Sequence, residues 1–432
     1  MTERRDVRIE VPVLARVEGE GALSLEVRDG RIERLQLRIY EPPRLFEKFL
    51  EGRGHEEIPD AVARICGICP VAYQMSAVAA LEQAMGVGID DWVRRMRRVF
   101  YCGEWLQSHA LHIHLLAAPD FLGYDSVVEM AKGHPDLVRR GLRLQALGND
   151  LIALFGGRSV HPVGACVGGF HHAPTVAAVA AMRTRLNDAQ EDARALLDWA
   201  LALPVPDSDQ DFVSVALRHP QDYAMAEGCI VSDRGLDIGA EAFEAHFREL
   251  QVPHSTALHA LLHDEPYMVG PLARLNLNHE RLPEALRERL LAAGLRLPSR
   301  NPFHSLIARA AEIAFIVGEA ARLLADYAEP PLPAAAVTPR AGMGFGATEA
   351  PRGLLWHRYE VDDAGHVRSA RIVPPTSQNQ ARIEADLRQS LELLGLDQPD
   401  EALRLRGEQV IRSYDPCISC ATHFLRLDVR RR

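Results

Sequence analysis

Lysine is almost missing from this chain. Only Lys48 and Lys132 occur among its 49 basic residues, and the rest are arginine. We read that as genomic base composition. An excess of positive charge is missing too: 59 acidic side chains give a net charge of −10, which disfavours general nucleic-acid binding. No apolar run reaches the ~20 residues needed to cross a bilayer. The best candidate, Ser305–Ala325, is interrupted by Arg and Glu. The first residues, Met1-Thr-Glu-Arg-Arg-Asp6, are polar and lack the apolar stretch of a secretory signal. The expectation is a cytoplasmic protein with no nucleic-acid partner and no membrane span. Repeats and low-complexity linkers are absent, and 47% hydrophobic with 25% charged residues is ordinary globular composition, which excludes disorder. Cysteines are few and odd in number, seven in 432 residues, so a disulfide framework is not the organising principle.

What is present is mostly helical periodicity. Residues 8–40 alternate apolar and polar side chains on either side of Asp29-Gly30, the pattern of a hairpin. Beyond them, Trp92–Leu116, Thr175–Leu203, His304–Tyr327 and Arg382–Leu394 carry apolar residues at three- and four-residue spacing. After Pro330-Pro331-Leu332-Pro333, the segments His357–Val361 and His366–Val373 flank Asp362-Asp363-Ala364-Gly365 as a second hairpin. The expected class is α+β and predominantly helical: a long central helix bundle with small N-terminal and C-terminal β regions. The whole chain, 1–432, is read as a single domain. Within it lie an N-terminal β hairpin region and first helix (1–60), a helical core (61–330) and a C-terminal β/helix region (331–423).

Four of the seven cysteines form two close pairs, Arg64-Ile-Cys66-Gly-Ile-Cys69-Pro70 and Asp415-Pro-Cys417-Ile-Ser-Cys420-Ala-Thr-His423. A two-residue spacer lets both sulfurs of a pair turn toward one ion. Four thiolates are soft donors suited to zinc, iron or nickel rather than magnesium or calcium. Spacing alone leaves open a zinc staple that ties the chain ends together. A redox dithiol fits less well, because it belongs in a small α/β module. About 350 residues separate the pairs, a long loop to close. A shared site therefore requires the two ends to meet in one buried metal centre.

These two motifs with their flanks resemble those of the large subunit of nickel–iron hydrogenases, which read Arg-x-Cys-Gly-x-Cys and Asp-Pro-Cys-x-x-Cys-x-x-His. The resemblance covers essentially the whole chain. It implies that Cys66 and Cys417 are terminal nickel ligands and that Cys69 and Cys420 bridge nickel to an iron carrying carbon monoxide and two cyanides. Arg16-Val-Glu18-Gly19 resembles the family's Arg-x-Glu-Gly, which makes Glu18 the first proton acceptor. Glu349-Ala-Pro351-Arg352-Gly353 resembles the motif whose Arg lies over the metals. Val373-Pro-Pro375-Thr376-Ser377-Gln-Asn379 resembles the segment that hydrogen-bonds the cyanides, so Pro351, Arg352, Pro375 and Thr376 are expected around the cofactor. Glu47, in Arg44-Leu-Phe-Glu47-Lys, would share a magnesium or iron(II) ion with His423. Tyr73 departs from the pattern: many members place His there, and Tyr resembles the cytoplasmic NAD(P)-linked, sulfhydrogenase-type branch.

Catalysis is expected from Glu18, Arg352 and Cys417. Arginine, with a pKa above ~12, stays protonated in water and is a poor base, so the Cys417 sulfur is favoured as base with Glu18 relaying. Glu18 suits that task only if partly desolvated; otherwise it is an ion-pair partner of Arg16. Read without the resemblance, Arg352 is a surface residue after a proline turn, and Thr376 and Ser377 are turn residues. Glu47 is then a helix-face carboxylate beside Lys48. His109, His112, His114, His161, His171 and His172 are read as structural rather than as ligands. Gly342-Met-Gly344-Phe-Gly346 is not a dinucleotide fingerprint, because Pro351 bars the following helix. With no flavin or nicotinamide motif, electrons must leave through an iron–sulfur small subunit, with flavin and NAD(P) chemistry on further diaphorase subunits. A maturation endopeptidase is expected to remove 424–432, so that the active protein ends at His423. A non-catalytic relative serving as a quinone-site module is the alternative from another class, but it would lack the cysteine pairs.

Overall fold

The expected first hairpin is the second half of a three-stranded antiparallel sheet. The computed structural model describes residues 6–422, and in it strands Val7–Val11, Gly21–Arg28 and Arg31–Ile39 pair in sequence order. The turn falls at Asp29 and Gly30, both at positive φ. One face of this sheet (Leu23, Leu25, Val27, Leu35, Leu37) is buried against the long Pro375–Leu394 helix and the Asp400–Tyr414 helix. N- and C-terminal parts of the chain therefore share one core.

The helix Pro70–Met85 starts at Cys69, with Pro70 in its first turn, and stops at Gly86 in the left-handed conformation. Its side chains are buried nearly all round, as expected of a helix enclosed on every side. What encloses one side is a strand no sequence pattern announced. Gly342–Ala350 opens a second antiparallel sheet, followed by Gly353–Val361 and Val367–Val373. It lies directly on the helix backbone: a Cβ at Gly342, Gly344 or Gly346 would come within 2.2, 1.9 and 2.1 Å of the carbonyl oxygens of Ala84, Ala80 and Ser76. The Gly-x-Gly-x-Gly run is thus a close-packing device.

The remaining helices complete the bundle. Asp91–Leu111, capped by the Asp90 carboxylate accepting from Val93 N at 2.8 Å, packs along Pro135–Gly156 and Ser305–Leu323. It widens into a π-type turn over His112–Ala117. The stretch read as one helix over Thr175–Leu203 is two, Val176–Asp188 and Gln190–Leu201. The stretch read as a purely helical core, 61–330, needs a correction. Strands Val213–Arg218, Cys229–Ser232, Phe247–Leu250 and His259–Leu262 form a β-rich region inside it. The first of these is buried on both faces at four successive residues, so it shows no alternation, and a short apolar run does not distinguish strand from helix.

Close packing at the helix–sheet contact gives a testable contrast. Gly344→Val should destabilise the protein by more than about 2 kcal/mol, since the clash is with backbone that cannot move aside. Gly318→Ala lies mid-helix with nothing near its Cβ, and should stabilise by up to about 1 kcal/mol. Equal melting temperatures for the two variants would contradict the packing argument.

Candidate metal centre

The first cysteine of each pair, Cys66 and Cys417, is in extended backbone. The Pro70–Met85 helix begins just after Cys69, and the short Ile418–Ala421 helix contains Cys420. The fold brings the pairs together. Cys66 Sγ lies 3.4 Å from Cys417 Sγ, Cys69 Sγ 3.6 Å from Cys420 Sγ, and Cys417 Sγ 2.6 Å from Cys420 Sγ. All four sulfurs fall within 4.8 Å of one another, and all four residues are buried. Backbone N–H groups of Ile68 and Cys69 point at Cys66 Sγ, each at 3.3 Å. Hydrogen bonds from Cys417 and Cys420 hold the Cys66 thiol low. Burial and the neighbouring thiols push Cys417 up. A cation is what lets such a cluster lose its protons together.

Arg352 faces this cluster and is fully buried, not a surface residue. Its Nε donates to Asp415 O at 2.7 Å and its Nη2 to Asp415 Oδ1 at 3.1 Å, while Nη1 has no partner among the described residues. Burial alone would lower its pKa, but Asp415 and the cysteine sulfurs outweigh that and keep it charged. A buried guanidinium N–H with no protein acceptor, beside four convergent sulfurs, fits a metal group bearing an acceptor of its own. Thr376 stands opposite, in the first turn of the Pro375–Leu394 helix rather than in a loop. Its Oγ1 accepts from Cys417 N at 2.9 Å. The Ser377 hydroxyl is spent on Pro374 O at 2.9 Å, so Thr376 is the hydroxyl available at this end. Pro375 is buried at the first position of that helix.

Glu18 is locked onto the second motif. Its backbone O accepts from Ile418 N at 3.0 Å and its Oε2 from Ser419 N at 3.1 Å. Gly19 makes the approach possible, with φ +86° and a would-be Cβ 2.6 Å from Ile418 Cβ. Glu18 is half-buried, and the Arg16 ion pair belongs to Asp120 instead. Asp120 also takes Arg412 Nε at 2.6 Å and Nη2 at 3.0 Å. This buried carboxylate thereby ties the 15–18 loop to the helix leading into Cys417.

Glu47 Oε1 accepts from Ile372 N at 2.8 Å, while Lys48 pairs with Glu51. Arg44 N donates to Thr422 O at 2.7 Å, so the segment carrying Glu47 runs beside the end of the second motif. His423 and 424–432 lie outside the described residues. Of the histidines read as structural, His109 meets Glu312 at 2.8 Å, His112 meets Arg412 O at 2.7 Å, His114 meets Ala110 O at 2.9 Å and His161 meets Ala63 O at 2.7 Å, whereas His171 and His172 are exposed. At the Tyr73 position, burial and then the sulfurs of Cys420 and Cys69 raise the phenol, so a hydroxyl meets the cluster there.

Sequence reasoning missed the buried charges behind the site. Arg274 reaches Glu312 through Nε and Nη2, both at 2.8 Å, Glu349 Oε2 at 3.0 Å, and the carbonyls of Ala350 and Pro351 at 2.8 and 3.0 Å. It therefore holds the turn that presents Pro351 and Arg352. Glu104 accepts from the N–H groups of Val71 and Ala72, at 2.5 and 3.0 Å, and so caps the helix that begins at Cys69. Charged residues inside otherwise apolar helical runs were the available signal.

With this geometry established, similarity to known proteins decides the family. The family model described as nickel-dependent hydrogenase matches residues 44–137 and 262–423. The chain belongs to the nickel-dependent hydrogenases. It is 30% identical to the sulfhydrogenase 2 subunit alpha of Pyrococcus furiosus over 97% of this chain and 100% of that one. It is 32% identical to the sulfhydrogenase 1 subunit alpha of the same organism, over 97% and 98%. The crystal structure of an NAD+-reducing [NiFe]-hydrogenase in the H2-reduced state superposes with a TM-score of 0.88 at 28% identity, covering 96% of this chain and 99% of that one. This hydrogenase subunit is an oxidoreductase acting on H2. No helix among its described residues is long and apolar enough to cross a membrane.

Burial raises the Glu349 carboxyl from 4.5 to about 7, against the pull of Arg274. A carboxyl raised in the folded state contributes stability below its unfolded pKa and loses it as pH rises through the folded value. The melting temperature of wild type relative to Glu349→Gln should therefore fall between about pH 4.5 and 7 and level off above. A constant difference across that range would contradict the assignment.

Proposed function

We propose that this hydrogenase subunit binds a nickel–iron centre through its four buried cysteines, cleaves H2 there, and passes the electrons to an iron–sulfur subunit and on to NAD(P). The observation that carries the reading is the convergence of Cys66, Cys69, Cys417 and Cys420 beside a buried Arg352 Nη1 that no protein group satisfies. The first cysteines of the two motifs face each other, as do the second ones. On this reading Cys66 and Cys417 would hold nickel, and Cys69 and Cys420 would be shared between nickel and an iron carrying carbon monoxide and two cyanides. When bound, such a centre supplies the Lewis acidity and redox capacity for heterolytic cleavage of H2.

The chain's own groups divide the remaining work. Arg352, held charged, directs Nη1 toward an acceptor in the centre and does not serve as base. Thr376, anchored on Cys417 N, presents its hydroxyl hydrogen at the N-terminus of a long helix, where the backbone dipole favours anionic groups. Pro351 and Pro375 shape an apolar rim that excludes water and strengthens these contacts. The Cys417 sulfur would take the proton of H2 as the centre takes up the electron pair, and the Glu18 carboxyl, fixed on Ser419 N, would take the proton onward. Glu47 with His423 would hold a magnesium or iron(II) ion.

The other cysteines, Cys102, Cys166 and Cys229, join no candidate metal group among the described residues. That supports electron exit through a partner's clusters. The NAD(P) assignment rests on the likeness to the NAD+-reducing enzyme. A quinone-site module is disfavoured by the four retained cysteines.

Infrared bands of metal-bound carbon monoxide and cyanide, with nickel and iron in the purified protein, are the expected outcome. Zinc alone would instead establish the staple. Glu18→Gln should retain both metals and the bands but slow deuterium–proton exchange by about 100-fold or more. Full exchange in that variant would remove Glu18 from the proton path. Cys417→Ser should abolish turnover.

A further inference from the structure

A second group of metal-ligating side chains lies away from the cysteines. His254 is in the loop between strands Phe247–Leu250 and His259–Leu262, His259 begins the second of these strands, and Glu384 is on the Pro375–Leu394 helix. Ligand atoms from all three lie within 4.8 Å of one another. His254 Nε2 meets Glu384 Oε1 at 2.8 Å, and the same oxygen accepts from Leu37 N at 2.9 Å. His259 is 4% exposed, and its Nε2 is buried with no partner among the described residues. Its ring stands 5.7 Å from that of His254, edge to face.

We propose that His254, His259 and Glu384 form a binding site for a divalent first-row transition ion, zinc being the simplest occupant. An unsatisfied buried imidazole nitrogen costs about 1–3 kcal/mol, so a third party at this point is physically favoured. Two imidazoles and one carboxylate suit borderline ions and exclude the thiolate preference of the cysteine site. Tetrahedral zinc with ligands at about 2.0–2.1 Å places them about 3.3 Å apart, between the 2.8 Å of the His254–Glu384 contact and the 4.8 Å within which all three ligand atoms fall. Burial lowers His259 to about 4, with His254 adding to the effect, so its ring is neutral and able to ligate at neutral pH. His254 and Glu384 keep 17% and 20% of their side chains exposed, which gives the ion an entry path and leaves room for water as fourth ligand.

The ion would join three parts of the fold: the 247–262 hairpin, the N-terminal sheet through Leu37, and the helix whose first turn carries Thr376. Glu384 is eight residues along that helix from Thr376, about 12 Å along its axis. The ion would thus brace the helix on which the cysteine site leans without touching that site.

The test uses the purified holoenzyme with all its subunits. It is equilibrated with zinc sulfate, desalted and analysed for retained zinc, and crystals are measured on both sides of the zinc edge. The expected result is an anomalous peak between the three side chains, with a raised melting temperature. Glu384→Gln, which keeps an acceptor for Leu37 N, should weaken zinc retention by more than about 100-fold, since even outer partners of a metal ligand are worth 10–100-fold. It should leave hydrogen turnover unchanged. If that variant does not fold, His254→Ala, at the histidine ligand that is not fully buried, serves in its place. A water in the site without zinc-edge signal, or equal zinc retention by wild type and variant, would overturn the proposal.

Discussion

The pair between Arg352 and Asp415 is the contact on which the site depends. Asp415 ends the Asp400–Tyr414 helix in the left-handed conformation, two residues before Cys417. Arg352 lies in the turn that follows a strand stacked on the helix beginning after Cys69. Their pairing closes a loop between chain segments that would otherwise have no reason to meet. Two charges this deeply buried are costly to leave unpaired, so the pairing is also directional: neither side chain can turn to water.

Behind that pair the protein keeps a string of further buried ions. Arg274 spans Glu312 and Glu349, with Trp105 stacked against its guanidinium at 4.2 Å. Arg412 and Arg16 share Asp120. Arg97 pairs with Glu82, which also accepts from Gly168 N at 2.7 Å. Each pair fixes a loop or helix segment by hydrogen bonds of defined direction. Apolar contacts alone, being non-directional, would allow those segments to slide.

Much of this was readable from the residues, and the failures have physical causes. The cysteine motifs stand out by type and spacing, whereas Arg16 to Gly19, Glu349 to Gly353 and the 373–379 segment stand out only through the family resemblance; all of them converge. Helix existence followed from periodicity, though Thr175–Leu203 hid a break at Ala189, whose backbone stays helical on both sides. The β-rich region inside 213–268 was invisible because its strands are short and the longest, Val213–Arg218, is buried on both faces. Thr376 and Ser377 read as turn residues because a Pro-Pro pair usually marks one, whereas here Pro375 opens a helix. In sequence Glu312 is only a charge that spoils a membrane span. It pairs with Arg274 and His109, 38 and 203 residues away, and that is tertiary information no local pattern carries.

The glycines of Gly342–Ala350 carry one consequence for how this centre can vary. Where sheet and helix meet through side chains, their spacing shifts whenever a side chain is exchanged. Here main chain rests on main chain, at Gly342, Gly344 and Gly346 against Ala84, Ala80 and Ser76. The helix leads back to Cys69 and the strand leads on to Arg352. The separation between one pair of sulfurs and the cation that faces them is therefore a ruler made of peptide units. Substitutions elsewhere can retune the polarity and access of the site while this length stays the same.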